Sequence, residues 1–303
     1  MFDSLFAERG LSLDRLKVLV EVHDAGSIAR AAPDDPVRQS QYSRQLRELS
    51  EFFGIEVAQR QGKLLKLTTQ GARLAELARH QLRSLQDFRS ECQSESLDYA
   101  IASGDSLLQW LVVPRLGRLS KGKIGARFTT INLRTNEIVQ QLNEGRIDFG
   151  ITRRDAVAEG LKTAVLGELT FVVVVPRVLV PSVKQLTLPE IFAKVPLAAQ
   201  TTDGQFAQRL RDVAQACGVE FSPALVCQSF PHALSAVRSG AFAAVLPRLA
   251  LSELPTELVT IVDAELLHQL RRPIVLAWNP RVTAVRPRAA QLVSELRKTL
   301  QLG

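Results

Sequence analysis

Residues 97–303 alternate short apolar runs with amphipathic helical stretches, and this alternation constrains the fold more than any other feature. Residues 99–102, 128–133, 149–152, 169–175, 195–199, 225–228, 243–246 and 274–278 read as strands. Helical periodicity falls between many of them, over 107–119, 137–144, 206–217, 232–239 and 288–300. Strands and helices in turn bury both faces of a sheet, so the expectation is an α/β fold with mostly parallel sheets.

The preceding residues are organised differently. Up to about Leu67 they form short amphipathic helices broken by Gly26, the Pro33–Pro36 stretch and Gly54. Leu13, Leu16, Val20 and His23 recur at helical spacing, with Ser12 as N-cap and Gly26 as stop; Ser27 then caps a short second helix over 28–32. Residues 70–95 contain no proline and a single glycine, Gly71. There Leu74, Ala78, Leu82 and Leu85, with Leu77 and Phe88, stripe a helix of about 25 residues, roughly 37 Å long. Such a stripe covers either its own domain or, lying between two domains, a second copy of itself. The division expected is 1–69, a connecting helix over 70–95, and 96–303.

Bulk properties narrow the class without naming it. The net charge is +7, yet residues 1–95 hold as many acidic as basic side chains, so global charge says little about partners. An apolar fraction of 46% with 23% charged residues suits a soluble protein with real cores. No apolar run approaches the roughly 18 residues of a membrane span. Met1–Gly10 carries Asp3, Glu8 and Arg9 and lacks the apolar centre of a secretory signal. Cys92, Cys217 and Cys227 stand at unrelated spacings, which argues against a disulfide framework or a zinc site and for the cytoplasm. His23, His80, His232 and His268 lie near no Ser or Cys motif, and GxSxG, HExxH, Walker A and GxGxxG are absent. Neither catalysis nor a cofactor is expected.

Residues 38–53 carry the chemistry. On a 3.6-residue period Tyr42, Leu46, Leu49 and Phe53 share one face, while Ser40, Arg44 and Arg47 occupy the other, flanked by Gln39 and Ser43. Arg bonds guanine O6 and N7 in bidentate fashion, Gln does the same with adenine, and Ser reaches phosphates or base edges. A solvated surface helix can carry the same residues. Gly54 ends this one, however, and residues 60–67 form a basic hairpin with a Gln61-Gly62 turn that sets Lys63 and Lys66 against phosphate. Helix, turn, helix and basic wing together point to double-stranded DNA.

Gly26-Ser27-Ile28-Ala29-Arg30-Ala31-Ala32, followed after five residues by Arg38-Gln39-Ser40-Gln41-Tyr42-Ser43-Arg44-Gln45-Leu46, resembles the DNA-binding signature of LysR-type transcriptional regulators. Gly54, Arg60 and Leu67-Thr68-Thr69-Gln70-Gly71 match the family's continuation through the wing. The resemblance implies an all-α winged helix-turn-helix in which Gln39, Ser40, Ser43 and Arg44 face the groove. With Ser27, Arg38, Arg47, Lys63 and Lys66 they make up the expected DNA-binding set. The chain departs from the family at Pro33-Asp34-Asp35-Pro36, which shortens the second helix and stiffens the turn, at Arg38 in place of Ser, and at Ala58 in place of a buried Phe.

Residues 145–151 and 238–247 extend the resemblance. They imply an effector domain of two Rossmann-like subdomains, similar to periplasmic solute-binding proteins, with crossovers near Pro176 and Arg271. Subdomain one would hold 96–176 and 271–303, and subdomain two 177–270. Ligands in open α/β sheets sit beyond the carboxyl ends of strands. The polar residues there are Ser103, Asp105, Ser106, Thr135, Asn136 and Thr152, joined from the second subdomain by Thr202, Asp203 and Gln205 and by the aromatic Phe230 ahead of another helix. Each serves either as a helix cap or as an effector contact. Arg153 and Arg154 either pair a carboxylate effector or lie in solvent. The function implied is transcription regulation by a homodimer or homotetramer that binds DNA and a small-molecule effector. The rival is a cytoplasmic solute-binding sensor whose N-terminal helices make protein contacts only.

Overall fold

The computed structural model describes residues 2–302 except Glu8, Lys63, 121–124, 181–185, 201–203 and Pro287. Two compact units emerge, Met1–Leu97 with Pro280–Ala290, and Asp98–Asn279 with Gln291–Gly303.

The first unit opens with α1 (Asp3–Phe6), α2 (Leu13–Ala25), α3 (Ile28–Ala31) and α4 (Pro36–Phe53). A two-stranded hairpin, β1 (Ala58–Gln61) and β2 (Leu64–Leu67), and the long α5 (Thr69–Cys92) follow. Four of these five helices, all but α1, start with a side-chain cap. Ser12, Ser27, Asp35 and Thr68 accept from the N–H three residues on, at 3.3, 3.3, 2.9 and 3.0 Å. Each cap contributes about 1 kcal/mol. Helix α4 starts two residues before the expected Arg38, because Pro36 has the right fixed φ for a first helical position and needs no N–H partner there. Its end, Gly54, adopts φ 63°, left-handed backbone that glycine takes without strain. Leu19, Leu46, Leu49 and Val57 are fully buried and meet Ile28, Tyr42 and Ala75 in one core, each large side chain worth roughly 1.5–3 kcal/mol.

The second unit runs β3 (Leu97–Ser103), α6 (Asp105–Leu107), a π-helical turn (Leu108–Val112), α7 (Val113–Ser120), β4 (Ala126–Asn132), α8 (Thr135–Asn143) and β5 (Phe149–Arg153). Then come β6 (Lys162–Leu169), β7 (Phe171–Pro176), α9 (Leu188–Lys194), β8 (Leu197–Gln200), α10 (Gln205–Ala216), β9 (Leu225–Cys227), α11 (Phe230–Arg238), β10 (Ala243–Pro247) and β11 (Val259–Val262). Strand β12 (Arg272–Trp278), α12 (Pro280–Val285) and α13 (Ala289–Thr299) complete the chain. One sheet has the order β4-β3-β5-β12-β6 and the other β11-β7-β10-β8-β9.

The sheets are mixed, where mostly parallel ones were expected. Strand β12 runs antiparallel to β5 and β6, and β7 antiparallel to β10 and β11. A parallel neighbour requires a long crossover, usually a helix. The chain instead passes from β6 into β7 through Thr170 alone, and enters β12 straight after Arg271. The first crossing therefore lies at Thr170, not at Pro176, and β7 belongs to the second sheet.

Helix α12 packs on α5 within the first unit. Asp87 accepts from Arg286 at 2.6 and 3.0 Å with both side chains almost fully buried, and the Ser84 hydroxyl donates to the Val285 carbonyl at 2.9 Å.

Candidate nucleic-acid interface and effector site

The apolar side of α4 does what its period demands: Tyr42, Leu46 and Leu49 are buried. Its flank forms, with α3 and the hairpin, a groove of about 860 Å³ lined by Gln39, Ser40, Ser43 and Arg47 on one wall and by Arg60, Gly62 and Leu64 on the other. Arg44 stands beside this groove with 80% of its side chain exposed, paired to Glu48 at 2.9 Å. Glu48 also accepts from Arg15, and these two arginines hold its carboxyl below the usual carboxylate range. Ser40 and Arg47 are exposed, Ser43 half-exposed. Gln39 donates to the Ala32 carbonyl at 2.8 Å, tying α4 to the end of α3.

Two members of the expected set differ. Ser27 is not a surface residue: it is 1% exposed, and its hydroxyl accepts from the Arg30 N–H as the cap of α3. Arg38 lies away from the groove, in a pocket with Lys17, Glu21 and Tyr42. It donates to the Tyr42 hydroxyl at 2.8 Å, sits 5.2 Å from that ring's centre and is 3.6 Å from Glu21. The Tyr42 hydroxyl donates in turn to Glu21. Burial and this bond push the phenol up, while the phenol's hydrogen bond raises Arg38. Lys66 is half-exposed on β2 opposite Gln59. Lys63 lies outside the described residues. Arg60 is a groove residue missing from the expected set, although its place in the basic hairpin was signal enough.

In the second unit the expected effector residues meet varied fates. Ser103 is fully buried and its hydroxyl donates to the Ile151 carbonyl at 2.8 Å, so it joins strands and does not present itself to a ligand. Phe230 is likewise interior: its ring packs 5.7 Å from Phe171 and 5.0 Å from Phe206, because the first turn of α11 must cover the second sheet. Asp105, Ser106 and Thr135 are half-exposed at the starts of α6 and α8, and Asn136 is exposed. Thr152 is 3% exposed, and its hydroxyl has no partner among the described residues. Thr202 and Asp203 lie outside the described residues. Gln205 opens α10 and accepts from Arg153 of β5, a hydrogen bond between the two subdomains. A second bridge was not foreseen. Glu253 accepts from Gln109 at 2.9 Å and Trp110 at 2.8 Å in the π-helical turn, and from Arg238 at 2.8 Å. These donors hold its carboxyl below the usual range, the Gln109 bond foremost.

No described helix is long and apolar enough to cross a membrane. The family profile of the bacterial regulatory helix-turn-helix proteins of the lysR family matches residues 13–72, and that of the LysR substrate binding domain matches residues 93–301. Among curated proteins, the HTH-type transcriptional regulator HdfR of Salmonella newport is 26% identical over 165 residues, covering 53% of this chain and 59% of the relative. The chain thus matches less than two thirds of that relative's length. Full-length OxyR from Pseudomonas aeruginosa superposes with a TM-score of 0.66 at 18% identity, over 97% of this chain and 96% of that one. CbnR, solved in complex with its target DNA, superposes with a TM-score of 0.58 at 19% identity, over 95% and 99%. With the two family profiles together spanning most of its length, the chain belongs to the LysR family of bacterial regulatory helix-turn-helix proteins.

Proposed function

We propose that this chain is a sequence-specific transcriptional regulator that binds double-stranded DNA through α4 and the hairpin, and whose output a small-molecule effector modulates. The observation that carries the reading is the groove between α4 and the hairpin, with Gln39, Ser40, Ser43 and Arg47 on one wall and Arg60 on the other. A helix buried on its aliphatic side and polar on its outer side fits the major groove, and a wing arginine reaches phosphate. CbnR, with the same fold, was solved on its target DNA.

The reading extends to the rest of the chain. Leu77, Leu85 and Phe88 remain exposed on one side of α5, suited to pairing with a second copy. The dimer or tetramer would present its winged helices to half-sites one or more helical turns apart. The second unit holds the effector between its subdomains and has neither a catalytic role nor a cofactor; burial pushes the Cys217 and Cys227 thiols up, away from the reactive thiolate. A cytoplasmic location is part of the same reading.

A salt titration tests it. DNA fragments selected from genomic DNA by the full chain are titrated by fluorescence anisotropy at rising salt. The expected result is a linear fall of log K against log salt, with a slope of about −0.9 per phosphate contacted. No selected fragment, or an affinity indifferent to salt, would overturn the reading.

A further inference from the structure

The bond between Arg153 and Gln205 belongs to a larger cluster of charge at the carboxyl end of β5. Arg153 lies opposite Ile274 on β12, so Arg272, two residues before Ile274, projects from the same face of the sheet. The Arg272 guanidinium lies 5.0 Å from the centre of the Phe206 ring. Its Nη2 is buried with no hydrogen-bond partner among the described residues. Arg209, one turn beyond Gln205 on α10, donates to the Arg271 carbonyl at 3.5 Å.

Arg153 and Arg209 both bear on the Arg272 guanidinium, and among the described residues the carboxylate that answers it is Asp155, 3.5 Å from Arg153. Glu168 does not alter the balance, because it pairs with Arg271 at 3.9 Å. Among the described residues, three guanidiniums thus stand against one carboxylate in this corner. Burial first, then Arg153 and Arg209, bring Arg272 down to about 10. A half-dehydrated cation crowded by like charges is costly to hold. The aromatic ring beneath it fixes the planar fork, which is the arrangement that receives an oxyanion in bidentate fashion.

We propose that the corner where β5, β12 and α10 meet binds a small dianion, a dicarboxylate or a phosphate monoester, through Arg272, Arg153 and Arg209. This rests on the reading of the second unit as the effector-binding part, and it supplies the chemical class of the effector. Gln205, already bonded to Arg153, lies within the same corner, so occupancy would act on a link between the two subdomains.

The full chain is melted with succinate, inorganic phosphate, acetate and neutral succinamide at constant ionic strength, beside Arg272→Gln and Arg209→Gln. Succinate or phosphate should raise the melting temperature of the parent and acetate should not; which of the two acts tells a dicarboxylate from a phosphate ester. Arg272→Gln alone should melt no lower than the parent, since a crowded cation is gone, and should bind the dianion at least about tenfold more weakly. Arg209→Gln, on an accessible helix, should show the same loss in a milder form. General salting effects of phosphate act on all three chains alike and cancel in the comparison. Equal dianion responses in parent and Arg272→Gln, or none in the parent, overturn the proposal. Stabilisation of all chains by succinamide alone would overturn it while leaving effector binding standing. A dianion that binds the parent without changing its DNA affinity would support the site and sink the effector reading.

Discussion

Arg44, proposed to contact DNA, is only loosely held. Its bond to Glu48 is an exposed pair one helical turn apart, screened by salt, and Arg15 satisfies the same carboxylate. A bidentate contact to a base is worth about 1–3 kcal/mol, so the base wins. Arg44→Ala should weaken specific binding by roughly that amount with little change in melting temperature; footprints as strong and selective as the parent's would remove Arg44 from the interface. Gly71 is sensitive for the opposite reason. A Cβ there would come within 2.0 Å of the Val57 carbonyl oxygen, which already accepts from the Thr68 N–H at 3.0 Å. Gly71→Ala should cost about 1–3 kcal/mol in a urea titration and loosen the hairpin. At this scale the sequence was legible in α4, where Tyr42, Leu46 and Leu49 went to the core as their spacing required, and less so in α2, where Val18, Leu19 and Val22 are buried while Leu13 is exposed and Leu16, Val20 and His23 are half-buried. It was illegible for Ser103 and Phe230; for Ser27 the cap was read rightly, and only the DNA contact added to it fails, because the residue is buried. A serine that caps a helix, one that bonds a neighbouring strand and one that meets a ligand are the same residue in the same polar context.

Elements were read well where an apolar period ran unbroken and poorly at edges. Strands β6 and β11 escaped notice because both lie at sheet edges and are largely exposed. In β6 the period-2 pattern is also interrupted: the register with β12 shifts between Ile274 and Val275, opposite Gly167. Of the two roles that the sequence left open for helix α5, the structure shows the packing on its own domain. Ala75 and Ala78 are buried, and Ala75 joins the core of the first unit; Leu77, Leu85 and Phe88 are left exposed. Its far end is held by the buried bidentate pair of Asp87 and Arg286. A buried pair adds little over apolar packing, whereas removing one partner is expensive. Asp87→Ala should therefore lower stability by on the order of 3 kcal/mol. Replacing both residues, Asp87→Leu with Arg286→Met, should recover most of that loss. Denaturant midpoints decide it, and a double variant as weak as the single one would mean that the pair does more than satisfy itself.

At the scale of the whole chain, the second unit is two subdomains joined by two short crossings and by side-chain bridges whose strength depends on charge. The Glu253 bridge spans them, with Gln109 and Trp110 donating from the first and Arg238 from the second. Because the folded carboxyl titrates below its ordinary 4.5, the bridge adds stability that is fully present above that value. The stability is lost as pH falls from 4.5 through the folded pKa, since the unfolded chain takes up the proton first. Glu253→Gln keeps one acceptor but no charge, and solvent reaches the site, so the loss near neutrality should be on the order of 1 kcal/mol. Urea midpoints of parent and variant between about pH 7 and pH 3 should differ most at the upper end and converge below about 4. A difference between the chains that stays constant across the range would mean that Glu253 holds the subdomains by shape and not by charge.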